Sequence, residues 1–245
     1  MVKTYALIIM IRNEIEGITR LFDQIPFDEF DEVVAIDGMS DDGSAEFLES
    51  KEIKVIVQTV NGRGQAFRDA FNNTNSDVLL FYGPDGNENP ADIIRFVQKF
   101  ERNENTGMVV ARRLGLGAVN KEDNKLIKPR KWVTISFNVI ANILWNRSDY
   151  IYDTINGFRA ITRDTWNTIK VDTDGYTVEY QSTIRCFKHN IQIVEFPTHE
   201  LQRIGSGAGS PALRTGLVFI KLLLREIGIS ISKIFKNKQC FKNVK

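Results

Sequence analysis

The chain of 245 residues has little cysteine, little histidine, almost no net charge and no long unbroken apolar run. Each shortage removes a class of function. Cys186 and Cys240 are its only cysteines, which excludes a disulfide framework and a paired-thiolate zinc site and fits a reducing, cytoplasmic compartment. His189 and His199 show no partner pattern and read as solvated surface rather than as ligands or bases. No Ser-His-Asp or Cys-His set is supported by these residues. The apolar run near the start meets Arg12 and Glu14 too soon for a signal peptide. The longest apolar stretch near the end, Gly216 to Phe235, contains Lys221, Arg225, Glu226 and Lys233. About 20 mostly apolar residues are needed to span a bilayer, so these charges argue against spanning. The glycine fingerprint of a dinucleotide site and the Walker loop are both missing, which disfavours a dehydrogenase and a P-loop enzyme.

What is present suits one large α/β domain. The apolar fraction is 42%, and 16 Phe, 6 Tyr and 3 Trp supply bulk for a core, so whole-chain disorder is excluded. The net charge of +1 names no partner, and no nucleic-acid ligand is expected. Its distribution is uneven. Residues 1–90 carry 7 basic and 17 acidic side chains, 91–220 carry 18 and 13, and 221–245 carry 7 and 1. A basic back behind an acidic front hints at a polyanionic or membrane partner.

Short apolar runs at Tyr5–Ile11, Val33–Ile36, Lys54–Val57, Val78–Tyr82 and Met108–Ala111 read as buried strands. Helical patterns fill the gaps at Glu14–Gln24, Ser44–Ser50, Gln65–Asn73 and Pro90–Asn103. Asn89 as N-cap with Pro90 behind it marks the last of these clearly. This alternation implies a mostly parallel sheet covered on both faces, with ligands bound outside the carboxyl ends of its strands. Beyond residue 112 the rhythm breaks. Arg113–Lys128 reads as a long Gly- and charge-rich loop. A helix is expected at Lys131–Trp145, a strand at Phe158–Thr162, a helix at Thr177–His189 and a strand at Ile191–Phe196. Gly205–Ser210 reads as a flexible loop, and Ala212–Phe235 as an amphipathic helix before a Lys-rich tail.

The loops after the first four strands aim carboxylates, amides and glycines at one crevice, which points to an enzyme or a nucleotide binder. Asp37 can accept hydrogen bonds from a ribose or base, or simply close a turn; Asp42 and Ser44 suit the turn and a helix cap. Asn61-Gly62-Arg63-Gly64 can wrap phosphate through its backbone with Arg63 adding charge, or be a plain turn. Asp85 and Asn87 offer one carboxylate and one amide oxygen to a hard divalent ion, against the reading of an Asp-Gly turn. Glu179, in the first turn of a helix, serves either a site or the helix dipole.

Taken in order, these motifs resemble family 2 glycosyltransferases, and within them the dolichol- or polyprenyl-phosphate sugar synthases. The residues that carry the likeness run from about 4 to 215. They are Asn13-Glu14, Asp37-Gly-Met-Ser-Asp-Asp-Gly-Ser, Asn61-Gly-Arg-Gly, Gly83-Pro-Asp-Gly-Asn-Glu-Asn-Pro, Asp153-Thr-Ile-Asn-Gly-Phe-Arg-Ala and the Arg203…Gly205…Ser210 loop. The resemblance implies a GT-A fold, with a Rossmann-like nucleotide-binding half (residues 1–112) and an acceptor half (113–211) before the helix and tail of 212–245. It also implies a nucleotide-sugar donor and a divalent cation, Mg²⁺ or Mn²⁺. Asn13, Glu14 and Asp37 would hold the nucleoside, with Arg63 and Gly64 nearby, while Asp85 and Asn87 hold metal and diphosphate. Arg112, Arg130 and Arg203 fall at phosphate-facing positions, and Thr134 stands where the lipid-phosphate branch has serine. Two departures stand out. Met10-Ile11-Arg12 replaces the usual Pro-Thr-Tyr, and the first carboxylate of the D-x-D motif is Gly83, leaving one anionic metal ligand fewer.

The resemblance implies inverting transfer, with Asp85 and Arg112 at the departing diphosphate. A lipid-phosphate acceptor is already anionic and needs no base; a saccharide hydroxyl needs one, for which Glu179 is the nominee. The scarcity of histidine and the later arginines favour the phosphate. A non-catalytic nucleotide-sugar binder, motivated by Gly83, is the alternative from another class. Helices Lys131–Trp145 and Ala212–Phe235, with Lys233, Lys236, Lys238, Lys242 and Lys245, suit peripheral membrane contact. Packing on the sheet and a solvated tail are the alternatives there. The oligomeric state is left open.

Overall fold

The computed structural model describes residues 3–120, 129–205 and 212–242. Met1–Ala208 form one compact unit and Gly209–Lys245 a second. In the first unit, β1 (Tyr5–Ile11) leads to α1 (Ile15–Leu21), β2 (Glu32–Asp37), α2 (Ser44–Ser50), β3 (Lys54–Val57) and α3 (Arg63–Asn73). The chain continues through β4 (Val78–Tyr82), α4 (Ile93–Arg102), β5 (Thr106–Arg112) and α5 (Pro129–Trp145). It closes with β6 (Arg159–Thr162), α6 (Arg163–Ile169), α7 (Val178–Lys188) and β7 (Gln192–Pro197).

The seven strands form one sheet in the order β3-β2-β1-β4-β6-β5-β7. All pairings are parallel except those of β6, which lies antiparallel between β4 and β5. The sheet thus runs unbroken across residue 112. From β1 the chain steps outward to β2 and β3, then returns to place β4 on the other side of β1. That reversal opens a crevice at the carboxyl ends of β1 and β4, where open α/β sheets bind ligands.

Alternation along β1 explains the two layers of helix. Leu7 and Ile9 face a core with Ile18 of α1, Leu48 of α2 and Phe96 and Phe100 of α4. Ala6 and Ile8 face the opposite core, with Phe67 and Phe71 of α3, Trp166 and Ile169 of α6 and Val178 of α7. Successive strand residues point to opposite faces, so a strand covered on both is apolar throughout. In β4 all five residues, Val78 to Tyr82, are buried. Rings fill the α3 side closely: Phe67 stacks on Phe81 at 3.8 Å and Phe71 on Trp166 at 4.7 Å between centroids. Burial of each such side chain contributes roughly 1.5–3 kcal/mol.

The first four strands and their helices lie where the hydrophobic pattern predicts, and Asn89 accepts the Ala91 N–H at 3.1 Å as a helix cap. Helix α6 is an addition. Thr162 caps it by accepting the Thr165 N–H at 3.2 Å, a signal masked because Thr162 also ends β6. The second correction concerns α8 (Ala212–Lys242), which continues through the expected Lys-rich tail. Residues 236–242 contain no Gly or Pro, and Lys and Gln are good helix formers. Of the two expected loops, residues 121–128 and 206–210 lie outside the described residues. Among those described, no helix is long and apolar enough to cross a membrane.

Candidate active site

The β1 and β2 loops are stitched together at the crevice. Asn13, in the left-handed region at φ 56°, donates its N–H to Ser40 Oγ at 2.9 Å and accepts the Asp41 N–H at 2.9 Å through Oδ1. Asp37 is 2% exposed and accepts both the hydroxyl and the N–H of Ser40, at 2.5 and 3.1 Å. Asp37 therefore closes a turn and fixes Asn13 through Ser40. Across the gap, the N–H groups of Glu14 and Ile15 reach Ser44 Oγ and Asp42 Oδ2, both at 2.9 Å. Asp42 and Ser44 satisfy orphan donors of α1 as well as shaping their own turn. A cleft of about 300 Å³ opens here, lined by Asn13, Glu14, Gly17, Asp42, Ile204 and Gly205.

The β4 loop carries the acidic groups. Asp85 Oδ2 accepts Asn87 Nδ2 at 2.7 Å and Oδ1 accepts the Asn87 N–H at 2.9 Å, so the two residues nominated for metal share one turn. Arg203 bridges this loop to β1, donating to Asp85 Oδ2 at 3.1 Å and to Glu14. The segment bearing Arg203 is docked on the loop by backbone bonds, Leu201 N–H to Asn87 O at 3.0 Å and Ile204 N–H to Asp85 O at 2.8 Å. Gly86 permits this approach, because a Cβ there would lie 2.7 Å from Ile204 Cγ1. Burial, with Asp85 and Asp42 nearby, pushes the Glu14 carboxyl up to about 7 against the pull of Arg203.

Glu88 stands in the same loop and was not singled out from sequence. Its Oε2 accepts the Gly83 N–H at 2.7 Å. Burial and the charge of Asp85 push its carboxyl up to about 8, opposed by that N–H, Arg63 and Arg113. Beside it, the buried Tyr82 hydroxyl has no hydrogen-bond partner among the described residues, and burial with Glu88 and Asp85 pushes its pKa up.

Arg63 and Glu179 meet from α3 and α7 as an ion pair with the Glu179 side chain 4% exposed. Behind them Arg159, fully buried, donates to the carbonyls of Asn156 and Glu179 at 2.7 and 2.8 Å; burial brings its pKa down to about 10. Arg113 grips Asp153 through Nε and Nη2 at 2.9 and 3.1 Å. Burial alone would raise Asp153, but Arg113 holds it below the usual carboxylate range. At the Gly62–Gly64 turn the glycines serve close packing. Gly64 N–H donates to Asp174 O at 2.8 Å, and a Cβ on Gly64 would fall 2.0 Å from Thr173 O. The glycine lets backbone pass, and its amide is spent on that backbone.

Arg112 donates to the carbonyls of Leu114 and Leu116 at 2.6 and 2.7 Å and lies 5.2 Å from the Tyr152 ring centroid. It shapes its own turn. Thr134 is half-buried in α5. Arg130 belongs to the first turn of α5, and its side chain lies outside the described residues. His189 and His199 are exposed, as expected. Asp153 and Arg159 were legible only as part of a motif and Arg113 only as the start of a loop, since their roles depend on partners elsewhere in the chain.

Among the described residues, no three His, Cys, Asp or Glu side chains gather to hold a metal by themselves. Carboxylates of Asp85 and Glu88 with the Asn87 amide are nonetheless hard oxygen donors suited to Mg²⁺ or Mn²⁺, which commonly share such sites with phosphate oxygens. The donor set fits a divalent ion completed by a diphosphate.

Comparison with known proteins agrees with this geometry. The model of the family described as glycosyl transferase family 2 matches residues 6–142. The glycosyltransferase AglJ of Haloferax volcanii is 26% identical over 222 residues, covering 87% of this chain and 69% of that protein. Glucosyl-3-phosphoglycerate synthase from Mycobacterium tuberculosis has a similar structure. Its complex with Mn²⁺, uridine-diphosphate-glucose and phosphoglyceric acid superposes with a TM-score of 0.73 at 18% identity, over 92% of this chain and 80% of that one. Another crystal structure of that synthase gives 0.72 at 17% identity, over 92% and 81%. At such identity the likeness concerns the fold, a GT-A sheet.

Proposed function

The chain belongs to glycosyl transferase family 2, and from that premise we propose that it transfers a sugar, with inversion, from a nucleotide-sugar donor to a polyprenyl phosphate or related lipid phosphate. Transfer of a sugar from a nucleotide is the activity of the family; the acceptor is the new element. One observation carries it. Glu179, the carboxylate nominated as base for a hydroxyl acceptor, is buried and tied to Arg63. A hydroxyl must lose its proton as it attacks, whereas a phosphate monoester arrives with an anionic oxygen and needs no such group. The basic excess after residue 90 suits an anionic acceptor as well.

In this reading the Asn13–Ser40–Asp37 turn and Glu14 hold the nucleoside side of the donor at the β1 end. Asp85 and Asn87, with the turn that orients them, hold the diphosphate side. A divalent cation bound there supplies charge for the departing diphosphate. Arg203 adds positive charge beside Asp85, where negative charge develops on the leaving group, and such fixed charges stabilise a transition state more than a ground state. Arg159, buried behind Glu179, donates to its carbonyl at 2.8 Å and so fixes the start of α7. Exposed apolar side chains on α5, Trp132 at 55% and Ile143 at 72%, support a peripheral membrane contact that brings the enzyme to its lipid.

The test is a transfer assay. The full-length chain is incubated with labelled nucleotide sugars and Mn²⁺, and with polyprenyl phosphate in vesicles or with soluble saccharides. Label extracted into the organic phase only when polyprenyl phosphate is present supports the reading. Product formed with saccharides alone contradicts it.

A further inference from the structure

We infer that Glu88 supplies the carboxylate that position 83 lacks, so that the β4–α4 loop presents Asp85, Asn87 and Glu88 to the divalent cation. The inference rests on the family 2 reading, which implies such a cation, and it concerns a residue outside the D-x-D pattern. It does not depend on which acceptor is used.

Three observations carry it. The first is a bond: the Gly83 N–H donates to Glu88 Oε2 at 2.7 Å, which turns the carboxylate back over the start of the loop. The second is position. Gly83 and its two chain neighbours apart, the heavy atoms nearest to a Cβ built on Gly83 are Oε2, Cδ and Oε1 of Glu88, at 3.8, 3.9 and 4.0 Å. The Glu88 carboxylate therefore lies beside the point from which an aspartate at 83 would extend its own, and this chain offers a carboxylate there from position 88. The third is company: Asp85, two residues beyond Gly83, is held by the Asn87 side chain and N–H, so the oxygen donors come from one short turn. Divalent ions such as Mg²⁺ and Mn²⁺ are bound by one or two carboxylates with phosphate oxygens and water completing the shell.

A purely structural role, in which Glu88 only staples the loop to Gly83, makes a different prediction. Glu88→Gln keeps an oxygen to accept the Gly83 N–H and removes the charge. The experiment titrates Mn²⁺ alone into the full-length chain and follows free Mn²⁺ by electron paramagnetic resonance, with circular dichroism and thermal midpoints as controls of folding. Glu88→Gln is expected to weaken Mn²⁺ binding at least about tenfold, since even indirect partners of metal ligands affect affinity by about 10–100-fold. The double variant Gly83→Asp/Glu88→Gln is expected to recover most of that loss. Failure of the wild-type chain to bind Mn²⁺, or equal binding by wild type and Glu88→Gln, overturns the assignment. So does a folded double variant that binds no better than Glu88→Gln. Sugar transfer by wild type together with unchanged Mn²⁺ affinity in Glu88→Gln would remove the Glu88 assignment and leave the glycosyltransferase reading standing.

Discussion

Glu179 shows how a single carboxylate changes meaning once its neighbour is known. In the sequence it is a first-turn acid nominated as a base; in the fold it is buried against Arg63, 116 residues away. Removing one member of such a pair leaves the other charge poorly solvated. Glu179→Ala is expected to cost about 3 kcal/mol of unfolding free energy in urea melts, and a change below about 0.5 kcal/mol, the usual range for surface substitutions, contradicts the pairing. Glu195 gives a pH test. Burial, with Asp153 adding, pushes its carboxyl from the ordinary 4.5 up to about 7, although it accepts the Tyr152 and Asp153 N–H groups. A raised acid favours the folded state fully below about 4.5, and that contribution is lost as pH rises to about 7. The thermal midpoint of wild type relative to Glu195→Gln should therefore fall between those two values and level off above; a difference independent of pH contradicts it. Asp85 and Asn87 were legible because carboxylate and amide stand two apart in a strand-end loop. Glu88 was not, because its partner is a backbone N–H, a group every residue but proline carries.

The elements repeat this lesson at larger size. Strands β1, β2, β3 and β4 and helices α1 to α4 were readable because each carries its own apolar period. Strand β6 is four residues long, and nothing in Arg-Ala-Ile-Thr reveals that it runs antiparallel between β4 and β5; neighbours impose that direction. The start of α3 is likewise set from outside. Gly64→Ala would drive a methyl into the Thr173 carbonyl, and backbone there has little freedom to yield. A loss of about 1–3 kcal/mol is expected in denaturant melts, as for other overpacked sites. Near-zero loss would mean that α3 and the 172–174 segment are not in contact. The cap of the 3₁₀ turn Pro90–Asp92 that leads into α4 offers a milder check: Asn89→Ala, losing the bond to Ala91, should cost about 1 kcal/mol.

At the scale of the whole molecule, the sheet order explains why motifs scattered over 190 residues of sequence, from Glu14 to Arg203, act in one place. Reversal of strand order between β1 and β4 brings their loops together, and the segment after β7 lays Arg203 across them. In the proposed reading the acidic loops of the first half form the donor side, which gives the charge gradient a physical meaning. The central claim is that the crevice holds a nucleoside diphosphate together with a divalent cation through Asp85. The most direct measurement is the thermal midpoint of the full-length chain against a panel of nucleoside diphosphates and nucleotide sugars, with and without Mn²⁺, in wild type and Asp85→Asn. At a ligand concentration 100 times Kd, binding adds about 2.7 kcal/mol, a rise of about 5 °C or more for a chain of this size. We predict that rise for at least one nucleotide, dependent on Mn²⁺ and lost in Asp85→Asn. Absence of any shift across the panel, or a shift that neither Mn²⁺ nor Asp85→Asn alters, would contradict the account.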